Sequence, residues 1–341
     1  MSQFTSQLAS LGWDAYFEEE FQRVAGAAAV PARVTADFGA DYMVHDGNGT
    51  RRAPARGVNP SVGDWVAVEG DAIKSIVARR TLFSRRSAGD ETRQQVLAAN
   101  VDIAFIVAAA TNVNVRRVER YLTVAWQSGA TPFVLLTKAD LADAPDALRA
   151  DLEAVAAGTP VIVTSSVSGD GLAEISEQLR PARTGVLLGP SGVGKSSLIN
   201  RILGSDVMRT RAIHGSSGEG RHTTSHRQLI QLPDGGMIID TPGLREAQLW
   251  EGQDALGNVF EDIEKLALSC RFSDCAHRTE PGCAIKAALV DGALEQKRFD
   301  SYRKLQRELR AIAAKSDARL QADERRKWKQ IAVASRARMR Y

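Results

Sequence analysis

Two short motifs carry residue types that can bind a nucleotide, and the first of them can hold its phosphates. It matches the Walker A pattern and reads Gly189, Pro190, Ser191, Gly192, Val193, Gly194, Lys195, Ser196 and Ser197. The glycines let backbone N–H groups turn inward around phosphate oxygens, Lys195 reaches the terminal phosphates, and the Ser196 hydroxyl can bind magnesium. A strand-like run precedes the motif and a helical pattern follows it, so the positive end of a helix also faces the phosphates. The sequence therefore predicts a phosphate-binding loop at 189–197.

The second motif ends an apolar run, "PFVLLTKAD", and can recognise a base. It consists of Thr137, Lys138, Ala139 and Asp140. The Asp140 carboxylate can accept hydrogen bonds from the N1–H and N2–H₂ groups of guanine, whereas adenine has no N1 proton and would leave the carboxylate unpaired. Lys138 would lie along the base and the sugar. A further apolar run, "TPVIVTSS", ends in Ser165 and Ser166, which we expect near the base oxygen.

A third segment, "MIIDTPG", offers groups for magnesium and for the γ-phosphate. Asp240 would hold magnesium through a water molecule, and the N–H of Gly243 would contact the γ-phosphate. Upstream of it, "IHGSSGEGRHTTSHRQL" is polar and rich in glycine, so we expect it to be mobile without ligand and to close on magnesium as a switch segment does. Either Thr223 or Thr224 would then bind magnesium, and we favour Thr224.

The residue that follows the magnesium segment is Leu244, at the place where signalling GTPases use a glutamine to orient the attacking water. A leucine side chain cannot orient water, so hydrolysis should be slow or should use another group. His222, in the switch segment, is a candidate for that role. The alternative is that His222 is a solvent-exposed histidine with no catalytic part.

The order of these segments is rotated relative to that of an ordinary guanine-nucleotide enzyme, in which the phosphate loop comes first. Here the base loops at 137–140 and 165–166 precede the phosphate loop, and the switch and magnesium segments come last. A circular permutation joins the old ends of a domain and cuts new ends in a surface loop, which leaves the sheet unchanged. The sequence therefore predicts a circularly permuted GTPase domain.

The elements that must position these loops alternate between strand and helix patterns from 96 to 248. Nearly continuous apolar runs such as "VDIAFIVAAA" and "TGVLLGPSG" are typical of a parallel sheet covered on both faces. We predict helices over 115–128 and 195–203, the latter ending at a Gly204 cap. One face of the second helix carries Leu198, Ile199, Ile202 and Leu203. This is the layout of an α/β nucleotide-binding domain.

Two further regions precede this domain. Residues 1–30 resemble a helical lead-in, with Trp13, Phe17 and Phe21 at roughly helical spacing. Residues 31–95 contain short strand-like runs separated by Gly, Asn and Pro turns, which favours a small β-barrel of oligonucleotide-binding type. Basic residues that we place in its loops are Arg51, Arg52, Arg56, Arg79 and Arg80. The strand pattern alone fits another small barrel equally well.

All three cysteines of the chain lie close together in the last region, 249–341, with one histidine among them. They are Cys270, Cys275 and Cys283, and the histidine is His277. Three thiolates and an imidazole form the closed tetrahedral set that a structural zinc requires. Isolated buried thiols are the alternative. Helical patterns flank the cluster, and the predicted buried stripe downstream consists of Leu294, Phe299, Tyr302, Leu305, Leu309 and Ile312.

Composition limits the class of protein. The 341 residues are enough for two or three domains, no apolar run approaches the roughly 18–20 residues that span a bilayer, and no secretory signal is evident at the amino terminus, so we expect a cytoplasmic protein. The net charge of +3 is unevenly distributed, because residues 291–341 contain 15 Lys and Arg against 7 Asp and Glu. A basic tail suggests a nucleic acid partner; a solvated, charge-rich helix is the alternative.

Taken together, the chain resembles the ribosome small-subunit-dependent GTPase A family (RsgA, also called YjeQ). The segments that carry the resemblance are "LGWDAYF", "GDWV", "TKAD", "GPSGVGKSSLIN", "GRHTT", "DTPG" and the cysteine cluster. The resemblance implies an oligonucleotide-binding barrel, a circularly permuted GTPase domain and a zinc domain. It also implies a GTP hydrolase that acts with magnesium, binds the small (30S) ribosomal subunit and its rRNA, and assists late maturation of that subunit. We expect a monomer without membrane contact.

One residue departs from the usual pattern, since Thr137 stands where GTPases usually have asparagine. That asparagine braces the phosphate loop and touches the base; threonine keeps one hydroxyl, so we expect weaker nucleotide affinity with guanine preference intact. Two other functions fit parts of the sequence: an ATP-using kinase or ATPase, against which Asp140 argues, and a passive RNA-binding scaffold with a vestigial nucleotide site.

Overall fold

The structure, a computed structural model, describes residues 7–39, 41–87, 90–156, 158–205, 227–240 and 254–316, which belong to two compact units. Unit 1 comprises Met1–Arg85 and Gln95–Ala247, and unit 2 comprises Arg86–Gln94 and Gln248–Tyr341. Across these described ranges no helix combines the length and the apolar character needed to cross a membrane.

The amino-terminal part of unit 1 is a five-stranded barrel. Its strands are β1 (Val30–Asp37), β2 (Asp41–His45), β3 (Thr50–Pro54), β4 (Trp65–Glu69) and β5 (Ala72–Ile76). Strand β1 pairs antiparallel with β2 and β4, β2 pairs with β3, and β4 pairs with β5. A parallel bridge between Ala55 and Ile73 brings the end of β3 to β5 and closes the ring. This five-stranded, partly open closure confirms the predicted oligonucleotide-binding type of barrel.

The predicted set of basic loops is wrong in part. Arg51 and Arg52 lie within β3, directly before the barrel core residue Ala53. Arg79 makes two 2.7 Å hydrogen bonds to the buried carboxylate of Asp64, so its charge is already paired. Loop composition alone could not show the partner of Arg79, because Asp64 lies 15 residues earlier, just before β4.

A short helix packs against this barrel, as the lead-in pattern predicts. Helix α1 (Ala15–Val24) begins after Asp14, whose carboxylate accepts hydrogen bonds from two N–H groups of its first turn. Phe17 and Phe21 lie on its buried face, and Trp13 precedes it. The Trp13 ring contacts the ring of Trp65 edge to face, with centroids 4.7 Å apart. Large aromatic contacts of this kind account for the spacing in "LGWDAYF" and for the tryptophan of "GDWV".

The rest of unit 1 is a mostly parallel sheet. Its strands are β8 (Ile103–Ala109), β9 (Thr131–Thr137), β10 (Val161–Val163), β11 (Thr184–Leu188), β12 (Arg227–Gln231) and β13 (Met237–Asp240). The connecting helices are α2 (Val115–Ser128), α3 (Pro145–Val155), α4 (Leu172–Leu179) and α5 (Lys195–Leu203). Helices α2 and α5 have the predicted bounds, and Gly204 ends α5 in a left-handed conformation as expected.

The order of strands in this sheet is β10-β9-β8-β11-β13-β12, followed by β1 of the barrel. Strands β8 to β11 and β13 are parallel, and β12 is antiparallel to β13. The chain therefore builds outward on one side of β11 before it reaches β11, and then continues on the other side. Doubly wound sheets bind their ligands where the order reverses in this way. Sequence analysis missed β12 and its pairing with β1.

Two more strands, β6 (Leu82–Ser87) and β7 (Asp90–Ala99), form a separate two-stranded sheet. Unit 2 contains helices α6 (Asp254–Val259), α7 (Glu261–Leu268), α8 (Ala284–Asp291) and α9 (Gln296–Ser316). The predicted stripe is buried at Leu294, which precedes α9, and at Phe299, Tyr302, Leu305 and Leu309 on the helix. The side chain of Ile312 and the tail from 317 lie outside the described residues.

Candidate nucleotide site and metal cluster

The nucleotide motifs meet at the edge of the sheet that is formed by the carboxyl ends of its parallel strands. More than 50 residues separate these motifs in the chain. Strand β11 ends at Leu188 and runs directly into the phosphate loop, while β9 ends at Thr137 and runs into the base loop. Both strands pair with β8 in parallel, so their carboxyl ends lie on either side of the end of β8. The strand of the third segment also reaches this place, because β13 pairs with β11 and terminates at Asp240, which is half-buried.

Backbone geometry shapes the phosphate loop. A Cβ atom on Gly189 would lie 2.7 Å from the carbonyl oxygen of Val107, so only glycine fits against β8. Gly194 has a φ of +102° and precedes α5, which begins at Lys195. The Lys195 amine donates to the carbonyl oxygens of Gly189 and Pro190 at 2.7 and 2.6 Å. The ammonium group therefore already lies over the loop that would surround phosphate, with Ser196 and Ser197 in the first turn of the helix.

Thr137 connects the base loop to the phosphate loop. Its hydroxyl is buried and donates to the carbonyl oxygen of Val193 at 2.6 Å, with a second, longer contact of 3.3 Å to that of Ala108. Lys138, in a left-handed conformation with φ of 57°, donates through its amine to the carbonyl oxygen of Gly192 at 2.8 Å. Threonine at 137 thus supplies a hydrogen bond that braces the phosphate loop.

The carboxylate that we expect to read the base is itself oriented by the second base loop. The Ser165 hydroxyl donates to Oδ1 of Asp140 at 2.5 Å and accepts hydrogen bonds from the N–H groups of Val167 and Ser168. Ser165 is almost fully buried, while Asp140 is exposed and can reach a ligand. Sequence analysis placed Ser165 near the base oxygen and missed its bond to Asp140, which depends on the pairing of β9 with β10.

The remaining predicted site residues divide into two groups. Thr223, Thr224, His222 and Gly243 lie outside the described residues. Ala139 and Ser166 are half-buried beside the base-loop residues already named.

A cavity of about 200 Å³ adjoins the phosphate loop on the side of α2. Asn112, Arg117 and Tyr121 line it together with Pro190 and Ser191. Burial raises the pKa of Tyr121, which stays protonated and can donate a hydrogen bond at neutral pH. Nothing in the spacing of Asn112, Arg117 and Tyr121 singled them out, because their place beside the loop follows from the sheet order.

In unit 2 the predicted metal-binding residues come together. The candidate ligand atoms of Cys270, Cys275, His277 and Cys283 all lie within 4.8 Å of one another. Nδ1 of His277 is 3.6 Å from Sγ of Cys270 and 3.5 Å from Sγ of Cys283, and those two sulfurs are 3.9 Å apart. A tetrahedral zinc with Zn–S bonds of about 2.3 Å and a Zn–N bond of about 2.0 Å requires ligand separations of about 3.5–3.8 Å. The cluster therefore fits a zinc ion.

The loop that carries these ligands is organised by one carboxylate. Glu280 accepts hydrogen bonds from the N–H groups of Ala276, Arg278 and Thr279 at 3.1, 2.7 and 2.9 Å. The backbone N–H of Glu280 itself, together with these bonds, holds the pKa of Glu280 at about 2, far below its ordinary value. His277, between the bonded N–H groups, has a positive φ of 55°. Burial lowers the pKa of His277 and so favours the neutral imidazole that binds metals.

A Walker-type loop at the switch point of the sheet, with a lysine and an aspartate from the loop that follows β9, defines a P-loop GTPase whose chain is circularly permuted. Comparison with known proteins agrees. Residues 76–250 match the family described as RsgA GTPase, and residues 184–318 match a second one described as 50S ribosome-binding GTPase. The chain belongs to the RsgA GTPase family.

The similarity extends over nearly the whole chain. A protein of Streptomyces avermitilis named small ribosomal subunit biogenesis GTPase RsgA is 46% identical over 97% of this chain and 94% of its own. A protein of Opitutus terrae with the same name is 42% identical, with 98% of each chain covered. Among solved structures, YjeQ from Thermotoga maritima superposes with a TM-score of 0.62 at 26% identity, over 82% of this chain and 98% of its own. YloQ, described as a circularly permuted GTPase, gives 0.60 at 26% identity, over 83% and 96%.

Proposed function

We propose that the protein is a GTP hydrolase that binds the small ribosomal subunit and assists its late maturation. The observation that carries this proposal is the bonded pair of loops at the sheet edge, in which Thr137 and Lys138 reach the phosphate loop and Ser165 orients Asp140. The ribosomal part is supported by the names of relatives that match over almost their full length. Such a partner would place the activity in the cytoplasm, with the protein acting as a monomer.

In the proposed site, each loop has a defined task. Asp140 pairs with N1–H and N2–H₂ of guanine while Ser165 and Ser166 flank the base, and Lys138 lies along it. Lys195 leaves the loop carbonyls for the terminal phosphates, and the N–H groups of the phosphate loop face the same oxygens. Magnesium, held by Ser196, Thr224 and Asp240, would neutralise charge on the β- and γ-phosphates.

We also propose roles for residues outside the described ranges. Gly243 and Thr223 or Thr224 contact the γ-phosphate, and His222 positions the attacking water in place of the glutamine that Leu244 replaces. The division of labour follows the predicted domains: the barrel (31–95) contacts rRNA, residues 96–248 bind nucleotide, and residues 249–341 hold one structural zinc. Because the magnesium segment leads along the chain into the zinc domain, loss of the γ-phosphate is expected to shift that domain and release the particle.

The experiment that tests this proposal is GTP hydrolysis by the full chain with magnesium, measured alone, with purified small subunits and with purified large subunits. We expect small subunits to raise the hydrolysis rate and large subunits to leave it unchanged. Lys195→Ala should lower the hydrolysis rate about 100-fold or more, because the variant lacks the positive charge that stabilises the transferring phosphoryl group. Arg201→Ala, on the exposed side of the same helix, is the matched control and should keep the wild-type rate. Stimulation by large subunits only, or by neither, would remove the small-subunit part of the proposal.

A further inference from the structure

Strand β1 belongs to two structures at once. It forms the barrel with β2 and β4, and its last residues also pair antiparallel with β12, at Ala36 with Gln228 and Asp37 with Arg227. The Arg227 guanidinium lies 3.7 Å from the Asp37 carboxylate and donates to the carbonyl oxygen of Val96 at 2.9 Å. The barrel therefore continues the sheet whose other strands carry the nucleotide loops.

A second connection starts from the same strand. Arg33 is only 2% exposed, and its guanidinium donates to groups from three separate parts of unit 1. It donates to the Thr184 hydroxyl at 2.7 Å, to the carbonyl oxygen of Asn100 at 3.1 Å, and to that of Leu11. One barrel side chain thus joins the amino-terminal segment, the segment before β8 and the sheet.

The contact with Thr184 reaches the strand of the phosphate loop. Thr184 is the first residue of β11, which is buried throughout and ends at Leu188, next to the loop. Five residues of strand span about 16 Å. The N–H of Thr184 also donates to the Asp102 carboxylate at 2.7 Å. Arg33 therefore contacts the first residue of β11, a short buried strand whose last residue leads into the phosphate loop.

The chemistry of this contact indicates a role in geometry. Burial lowers the pKa of Arg33 to about 10, against the opposing effect of Asp102 and Asp64, so the guanidinium stays charged at neutral pH. A buried charge is a poor way to gain stability compared with an apolar side chain of the same size, and its bonds are directional. Such a group fixes the relative position of the parts that it joins.

Backbone conformation marks the same place. Among the described residues, three that are not glycine have a positive φ: Lys138 in the base loop, His277 in the metal loop, and Asn100. Unfavourable backbone conformations cluster where geometry matters for function. Asn100 accepts from Arg33 through its carbonyl and donates through its side chain to the carbonyl oxygen of Gly63 in the barrel.

We propose that Arg33 is a positioning residue that couples the barrel to the phosphate loop through Thr184 and β11. Nucleotide binding then changes the rate at which the backbone amides of β1 exchange hydrogen with solvent. Because coupling is reciprocal, a ligand bound to the barrel changes the rate of GTP hydrolysis. The second half of this statement rests on the proposed ribosomal function; the first half does not.

The test of the first half is hydrogen exchange, measured by mass spectrometry on the full chain with and without GDP. In the wild type, GDP should slow exchange of the peptide that covers β1 by about fivefold or more. Thr184→Val and Arg33→Met should remove that response while phosphate-loop peptides still become protected. Thr35→Val is the matched control: its hydroxyl donates to the carbonyl oxygen of Met43 inside the barrel, so the response should persist.

A GDP-insensitive β1 in the wild type, or an unchanged response in folded Thr184→Val, overturns the proposal. Thr184→Val keeps the shape of the side chain, so it serves if Arg33→Met does not fold. The second half of the proposal is tested by GTP hydrolysis with small subunits. These should raise the kcat of the wild type and of Thr35→Val, whereas the increase for Thr184→Val should be several-fold smaller, with KM little changed. A wild type that responds to GDP but not to small subunits would refute the ribosomal function and leave the coupling in place.

Discussion

The nucleotide edge of unit 1 and the metal cluster of unit 2 are both made of loop residues, but different forces hold them. The nucleotide loops extend from parallel strands that are buried on both faces, and Leu188 and Leu136 beside them have no exposed surface. Their hydrogen bonds run between loops, from Thr137 to Val193 and from Ser165 to Asp140. Their geometry therefore depends on the core of the sheet.

The metal loop has little core of its own. Of the four candidate ligands only Cys283 is buried, and the residues around them are mostly exposed. Hydrogen bonds within the loop organise it, among them the three that Glu280 accepts from backbone N–H groups. The comparison teaches that the nucleotide site should be preorganised without its ligand, whereas the metal site should depend on its ion.

The largest expected effect concerns what the nucleotide edge recognises. Asp140→Asn replaces a carboxylate that pairs with two donors by an amide with one acceptor and one donor. GTP affinity should fall by about 100-fold or more, because the N2 amino group of guanine then faces another donor. Xanthosine triphosphate, which carries an oxygen there, should bind better to the variant than GTP does.

Competition of both nucleotides against fluorescent GDP measures this change. If the edge is preorganised by the sheet, the thermal unfolding of unit 1 should stay within a few degrees of the wild type. Loss of both nucleotides together with a lower unfolding temperature would show that Asp140 maintains the loop instead of reading the base.

Removal of the metal should affect the other region strongly. Cys283→Ser, or treatment with a chelator, should release about one zinc ion per chain and cost unit 2 roughly 5 kcal/mol or more of stability. Ser273→Ala, on an exposed serine of the same loop, should keep the metal. Metal analysis and limited proteolysis of the 254–316 region follow the change, while GDP affinity reports on unit 1. A protease-resistant unit 2 without metal would break the comparison between the two regions.

The same contrast explains what the sequence could predict. Continuous apolar runs and the spacing around Lys195 identified the strands and helices of the central sheet, and the cysteine spacing identified the metal ligands, because those signals are local. The pairing of β1 with β12 joins residues almost 200 positions apart, and no local pattern reports it. The bond from Ser165 to Asp140 and the ion pair of Arg79 with Asp64 were missed for the same reason.

A smaller effect is expected from the brace between the loops. Thr137→Val keeps the shape of the side chain and removes its hydrogen bond to Val193, which leaves a buried carbonyl oxygen less well satisfied. A cost of about 1–2 kcal/mol corresponds to a 5- to 30-fold loss of GDP affinity. The matched control is Thr159→Val, since the buried hydroxyl of Thr159 has no hydrogen-bond partner within the described part of the chain. Equal GDP affinity in the two variants would mean that the phosphate loop keeps its shape without Thr137.

The smallest effect tests whether the metal loop is organised at all before the ion binds. Glu280→Ala removes the acceptor of three N–H groups around His277 but none of the four ligands, so zinc should still bind. The affinity for zinc, measured at pH 7 by competition with a chromophoric chelator, should fall about 3- to 10-fold. Residues that hydrogen-bond a metal ligand directly have larger effects, of about 10- to 100-fold. Asp274→Ala removes an exposed carboxylate from the same loop and controls for the change of charge. If both variants lose affinity equally, the effect of Glu280 is long-range electrostatics, and the ion alone shapes the loop. A loss confined to Glu280→Ala would show that this loop is partly preorganised, which narrows the difference between the two regions to one of degree.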